Sequence, residues 1–175
     1  MFMSDVINTT IAVARVGLFL TNYTGYKFNK RVQDEASIRQ WLMVKLDSAH
    51  QNSLKVLDIS HSKSNTELSH IIKKLLDNIE TFKNDSNLAA SGTKGTFFTS
   101  ESVATVASLS QLIEFDAAIL ERTENASQAL ISLSKAIMNK EEGILAAAID
   151  ISAAFLEIHN KFRERVKYIR GFGHK

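Results

Sequence analysis

Apolar residues recur at three-and-four spacing along most of the chain, and this period alone predicts helices almost throughout. The clearest stripe is Ile38, Leu42, Leu46, Ala49, Ser53 and Val56, which places a long helix from about Lys27 or Phe28 to Ser60. A second stripe, Leu68, Ile71, Ile72, Leu75, Ile79 and Phe82, follows the break "SHSKSN" and predicts a helix over 65–83, started by a Ser64/Glu67 capping box. A third runs through Thr105, Leu109, Leu112, Asp116, Ile119, Thr123, Leu130, Ser134 and Ile137, giving a helix over about 101–138 capped by Thr99 or Ser100. The last carries Ile144, Ala147, Ile151, Phe155, Ile158, Phe162, Val166 and Ile169. It starts near Lys140 after an Asn139/Glu142 capping box and ends at Gly171. Residues 84–100, "NDSNLAASGTKGTFFTS", lack a stripe and read as a flexible loop.

The opening stretch, 4–22, is apolar nearly all round and is interrupted only by Arg15. It is too short and too polar for a transmembrane helix, and its acidic start does not fit a secretory leader. We expect a helix with Ser4 as N-cap and Ile7, Ile11, Ala14 and Leu18 on one face, completing the core of the bundle. On that expectation, replacing Leu18 and Phe19 by Glu would lower the melting temperature. Gly25 marks the bend that follows.

Helix lengths and short links at 61–64 and 139–140 point to antiparallel neighbours. The expected architecture is all-α: one domain over 1–175, an elongated antiparallel four-column bundle of about five helices. In it the first and third helices share a column. Composition agrees. The 175 residues contain no proline and no cysteine, which removes disulfides, thiolate metal sites and a cysteine nucleophile. The net charge of +2 is too small to imply nucleic acid or an acidic partner.

Candidate chemistry is sparse. Carboxylate-x-x-His occurs three times: Asp47/His50, Asp58/His61 and Glu67/His70. Paired Glu-x-x-His on two helices supplies ligands in di-metal bundles. Here Asp47, His50, Asp58 and His61 lie about 120° from the core stripe, and no other helix offers a matching set. We therefore expect no metal site, no cofactor and no catalytic residues. "GTKG" (92–95) lacks the strands of an RNA-binding clamp and the spacing of a phosphate loop. "NTT", "NYT", "NDS" and "NAS" fit the glycosylation sequon, with no export signal to make them relevant.

Asp116 is the oddest residue. It interrupts a stripe between Leu112 and Ile119 and needs a cation or backbone donors if buried. We read it as a register-fixing residue. Thr105, Thr123, Ser127 and Ser134 on the same stripe suggest an adaptable seam, and His159 a partly buried structural histidine. Charge is unevenly placed. Residues 161–175 hold six Lys/Arg and one Glu, interleaved with Phe162, Tyr168 and Phe172. Lys27, Lys30 and Arg31 add a second cluster, and acids gather at Glu114, Asp116, Glu121 and Glu124. Basic and aromatic residues together suit an anionic membrane surface.

The order "INTTIAVARVGLFLTNYTGYKF" (7–28), followed by a long helix from Lys30, resembles the membrane-active bundles of HeLo-type and mixed-lineage-kinase-like cell-death proteins. The resemblance is one of element order, and it implies a membrane-directed first helix but no site residue. Two functions follow. One is a non-catalytic helical-bundle module for protein–protein interaction or oligomerisation through the long helices, working in the cytoplasm. The other is a membrane-active bundle whose first helix inserts into anionic membranes, and a metal-binding bundle comes third. Nucleic acid is not an expected partner.

Overall fold

A computed structural model describes residues 2–89 and 95–172, with the side chains of 2–6 not described. It is an all-α helical bundle, with no strand among the described residues. The helices are α1 (Phe2–Gly17), α2 (Arg31–Ser62), α3 (Thr66–Ala89), the single turn α4 (Thr96–Thr99), α5 (Val106–Asn139) and α6 (Ile144–Gly171). Short 3-10 turns at Phe28–Lys30 and Glu101–Val103 lead into α2 and towards α5.

Four helices close the bundle. α2 packs on α3, α3 on α6, α6 on α5, and α5 on α2. Lys45 pairs with Glu124 across α2 and α5, and His159 with Asp85 across α6 and α3. Glu35 and Asp116 also meet at Arg165, and Lys63 Nζ, just past α2, donates to Ile137 O near the end of α5, while Ile71 lies beside Ile149, so α2/α5 and α3/α6 are the parallel pairs. The predicted stripes supply the core. Ile38, Leu42, Leu46, Ala49, Ser53 and Val56 are all buried, as are Leu68, Ile72, Leu75, Ile79 and Phe82, while Ile71 is half-buried. On α6 Ile151, Phe155, Ile158, Phe162 and Ile169 are buried, but Ala147 faces solvent beside buried Ala148, and Val166 is half-buried beside buried Arg165.

The shared column is corrected. α3 continues through Asn84–Ala89, where a loop was expected, and its 24 residues fill a column of about 36 Å alone. Local propensity argues against helix in "NDSNLA". Tertiary bonds override it: Asp85 accepts from Arg163 Nε at 2.7 Å and pairs with His159 Nε2 at 2.7 Å. His159 is buried and stacks on Phe82, with ring centroids 4.9 Å apart. Burial holds it below the ordinary histidine value against the pull of Asp85. With its own column occupied by α3, α1 becomes a fifth helix on the outside of the ring, seated on α5.

Three caps also differ. Ser64 takes a left-handed φ of 53°, and Asn65 caps α3, its Oδ1 accepting from Leu68 N at 3.0 Å. α5 starts at a Thr105/Ser108 capping box, so Thr105 is a cap and not a stripe residue. Asn139 ends α5, and Lys140 is left-handed behind it, with Glu141 N bonded to Ala136 O at 3.0 Å, a Schellman ending. α1 also differs at its ends: it begins at Phe2, so Ser4 lies within the helix and not at its N-cap, and it ends at Gly17 and not near 22. Of the expected loop, residues 90–94 lie outside the described residues, as do most of "GTKG" and Gly173–Lys175.

Candidate functional site

The geometry of α1 is the main departure from expectation. Ala12 and Val16 are fully buried against the bundle and Val13 packs beside them. Ile7, Ile11 and Leu18 are 57 %, 54 % and 80 % exposed, and Ala14 is exposed with them. At 100° per residue these two sets face opposite ways. The stripe expected in the core is the outward one, and α1 docks through its smaller residues, which let it approach α5 closely.

Polar bonds lock that docking. Arg15 Nε and Nη2 donate to Glu121 at 2.8 and 2.7 Å, and Nη1 donates to Glu114 at 2.8 Å. Hydrogen bonding to Arg15 holds the Glu121 carboxyl below its usual range. The connection after α1 then doubles back. Gly25 has φ +72°, and a Cβ there would stand 2.9 Å from Val13 Cγ2 and 3.3 Å from Ile113 Cδ1. Gly25→Ala is expected to cost at least about 1–2 kcal/mol from the left-handed conformation alone, measured by urea denaturation. An unchanged midpoint would contradict the close approach.

A buried ion cluster anchors the end of this connection. Arg165, 0 % exposed, donates from Nε to Asp116 Oδ1 at 2.5 Å and from Nη2 to Glu35 Oε2 at 2.5 Å. Its Nη2 also donates to the Tyr26 hydroxyl at 2.5 Å, and the Tyr23 hydroxyl donates to Asp116 Oδ2 at 2.7 Å. Asp34 accepts from Thr24 N, Thr24 Oγ1 and Tyr26 N, which fixes Tyr26 at its left-handed φ of 61°. Arg31 lies between the rings of Phe28 and Phe97 and donates to the carbonyls of Tyr26, Phe97 and Ser100. Burial drives the Asp116 carboxyl upward, against Arg165 and the tyrosine donors. For Glu35, burial is outweighed by Arg165 and Arg39, and the carboxyl lies below its usual range.

The expected partner for Asp116 is thus present, and the acid-rich stretch of α5 acquires a role. Glu114 and Glu121 hold α1, Asp116 holds α6, and Glu124 holds α2 through Lys45 at 2.6 Å. The basic stretches are less available than their sequence suggests. Arg165 and Arg31 are buried, Arg163 is paired with Asp85, and Lys161 lies over the Phe115 ring. Lys27, Lys30, Lys167 and Arg170 remain exposed. Thr123 on the α5 stripe donates to Ile119 O at 2.7 Å, within its own helix.

The carboxylate-x-x-His pairs are not brought together with further ligands. Asp58, His61, Glu67 and His70 are exposed, Asp47 pairs with Lys83, and His50 is half-buried. Among the described residues no three His, Asp or Glu side chains converge on a metal position. No described helix is long and apolar enough to cross a membrane. No family model, curated protein or solved structure matches the chain.

Proposed function

We propose that this protein is a non-catalytic helical-bundle module that self-associates through the outward face of α1. One observation carries the reading: Ile7, Ile11 and Ala14 of α1, with Leu18 in the turn directly after it, are exposed together at four-three-four spacing. That is the a/d repeat with which one helix packs against another. The long helices use their main stripes on one another, which leaves the outward face of α1 for the contact.

The charge pattern favours protein over lipid as the occupant. Arg15 is the one basic residue of α1, and Glu114 and Glu121 hold it on α5. The 16 residues of α1 span about 24 Å, less than a hydrocarbon core of about 30 Å. A non-catalytic role is supported by the state of the buried acids and base. Glu35, Asp116 and Arg165 are closed on one another, and the cavity beside Glu35, about 20 Å³, has room for one water.

Sedimentation velocity across a hundredfold concentration range tests this. The wild-type chain should shift to larger species as concentration rises. Ile11→Glu should stay monomeric with an unchanged melting temperature. A wild-type monomer at every concentration would overturn the reading. If that monomer pelleted with anionic vesicles and Ile11→Glu did not, the stripe would belong to lipid instead.

A further inference from the structure

We infer that the seat of α1 on α5 also accepts α1 of a second copy, so that two chains exchange their first helices reciprocally. The contact uses the inward face of α1 and does not depend on the outward stripe. α5 carries two buried stripes. Leu112, Asp116, Ile119 and Thr123 enter the core of the ring, and Ile113, Ala117 and Leu120, all fully buried, lie about 100° round the helix from them. Glu114 and Glu121 stand further round in the same sense and hold Arg15. Ala12 and Val16 of α1 are buried on this side of the bundle, and Val13 and Ile113 both adjoin Gly25. The structure therefore shows what covers this surface: a helix with small apolar residues four apart and an arginine between them, set against two glutamates.

Its place in the fold makes that helix exchangeable. α1 lies outside the closed ring of α2, α3, α6 and α5, so leaving the seat breaks none of the ring's own pairs. It docks through Ala12, Val13 and Val16 while Ile7 and Ile11 stay exposed, so the helix itself uncovers little apolar surface on leaving. The bonds that hold the chain from Tyr23 to α2 are a separate set. Tyr23 donates to Asp116, and Asp34 accepts from Thr24 and Tyr26, none of them a residue of α1. The hinge is left to residues 18–22, which form turns and no regular helix and reach about 17 Å when extended.

Exchange reproduces the contacts of the seat, since the same two surfaces meet within a chain and between chains. Concentration sets the balance. The short hinge holds a chain's own α1 at an effective concentration of the order of millimolar, so separate chains in dilute solution stay closed. Opening the hinge also gives up the edge contact of Phe19 on Trp41. Two chains exchange when their own seats are spoiled, or when they are held close together, as the outward contact proposed above would hold them. Because the exchange is reciprocal, it closes after two copies and does not propagate.

Charge reversal tests the exchange. All chains carry Ile11→Glu, which removes the outward contact, so a failure of that reading leaves this test intact. One chain also carries Arg15→Glu, and its own Glu114 and Glu121 repel the new carboxylate. The other carries Glu114→Arg and Glu121→Arg, which repel its own Arg15. Each variant alone should sediment as a monomer, with α1 unprotected in hydrogen exchange. In an equimolar mixture each first helix meets opposite charge only on the other chain. One-to-one dimers should form, nothing larger, and α1 should regain protection in both chains. A mixture that stays monomeric overturns the inference, and so does a dimer in which α1 remains unprotected. Self-association of the Arg15→Glu chain as strong as that of the mixture also overturns it, because the contact would then ignore the charge that defines the seat. Should the double reversal melt early, Glu121→Arg alone replaces it, since Glu121 takes the bonds of both Nε and Nη2 of Arg15.

Discussion

Arg165→Met is expected to destabilise the protein by about 3–5 kcal/mol, the range for removing one partner of a buried ion pair. In a chain of this size that lowers the melting temperature by roughly 6–20 °C. The cost comes from what remains. Arg165 is fully buried between Asp116 and Glu35, themselves 0 % and 3 % exposed. Without it, Asp116 keeps the Tyr23 hydroxyl, and Glu35 keeps Arg39, whose Nε stands 3.4 Å away without hydrogen-bond geometry. Two carboxylates would share a dry site with too little positive charge. Their folded-state pKa values would then rise above the unfolded values, so the destabilisation would be full at neutral pH and shrink as pH falls through the raised values. The gap between wild type and variant should therefore narrow in acid. Adding Asp116→Asn and Glu35→Gln should recover part of the loss at pH 7. A cost below about 1 kcal/mol, or a gap independent of pH, would show that the cluster does not hold this end of the bundle together.

The cluster also shows how far the sequence could be read. Asp116 stood out because it breaks the stripe between Leu112 and Ile119. Arg165 breaks the last helix in the same way, between Phe162 and Ile169, and Glu35 lies one turn before Ile38. Three charged residues at stripe positions, with signs that can pair, were visible in the pattern. Counting Arg165 within a basic tail hid the match, since charge was summed along the chain and not by helix face. The pairing itself required the topology, because only the ring order of α2, α5 and α6 brings these positions to one level. The core stripes of α2 and α3 were legible because a long helix buried on one side has a single apolar face. The extension of α3 through Asn84–Ala89 was not. There the bonds of Asp85 to His159 and Arg163 decide, and those partners lie more than seventy residues away.

On α1 the pattern was read with the wrong weight. A segment apolar nearly all round has several possible core faces, and bulk favoured Ile7, Ile11 and Leu18. Docking is instead decided by the close approach that Ala12 and Val16 permit, by the reach of Arg15 to Glu114 and Glu121, and by Gly25 folding back onto Val13. A pair of substitutions two residues apart separates the two faces. Val16→Glu should cost at least about 2 kcal/mol, since burying a valine side chain contributes about 1.5–3 kcal/mol and the new carboxylate must be left unpaired or carried out of the interface. The loss has a ceiling, because α1 can leave α5 while the four-helix ring stays closed, a local opening and not global unfolding. Hydrogen exchange should then show α1 and the 18–30 connection losing protection first, with α2, α3 and α6 retaining theirs. Leu18→Glu should change stability by no more than about 0.5 kcal/mol, as expected of an exposed position, and should act on self-association alone. Equal destabilisation by both substitutions would mean that the outward stripe is covered within the chain, and the proposed contact between copies would fall with it.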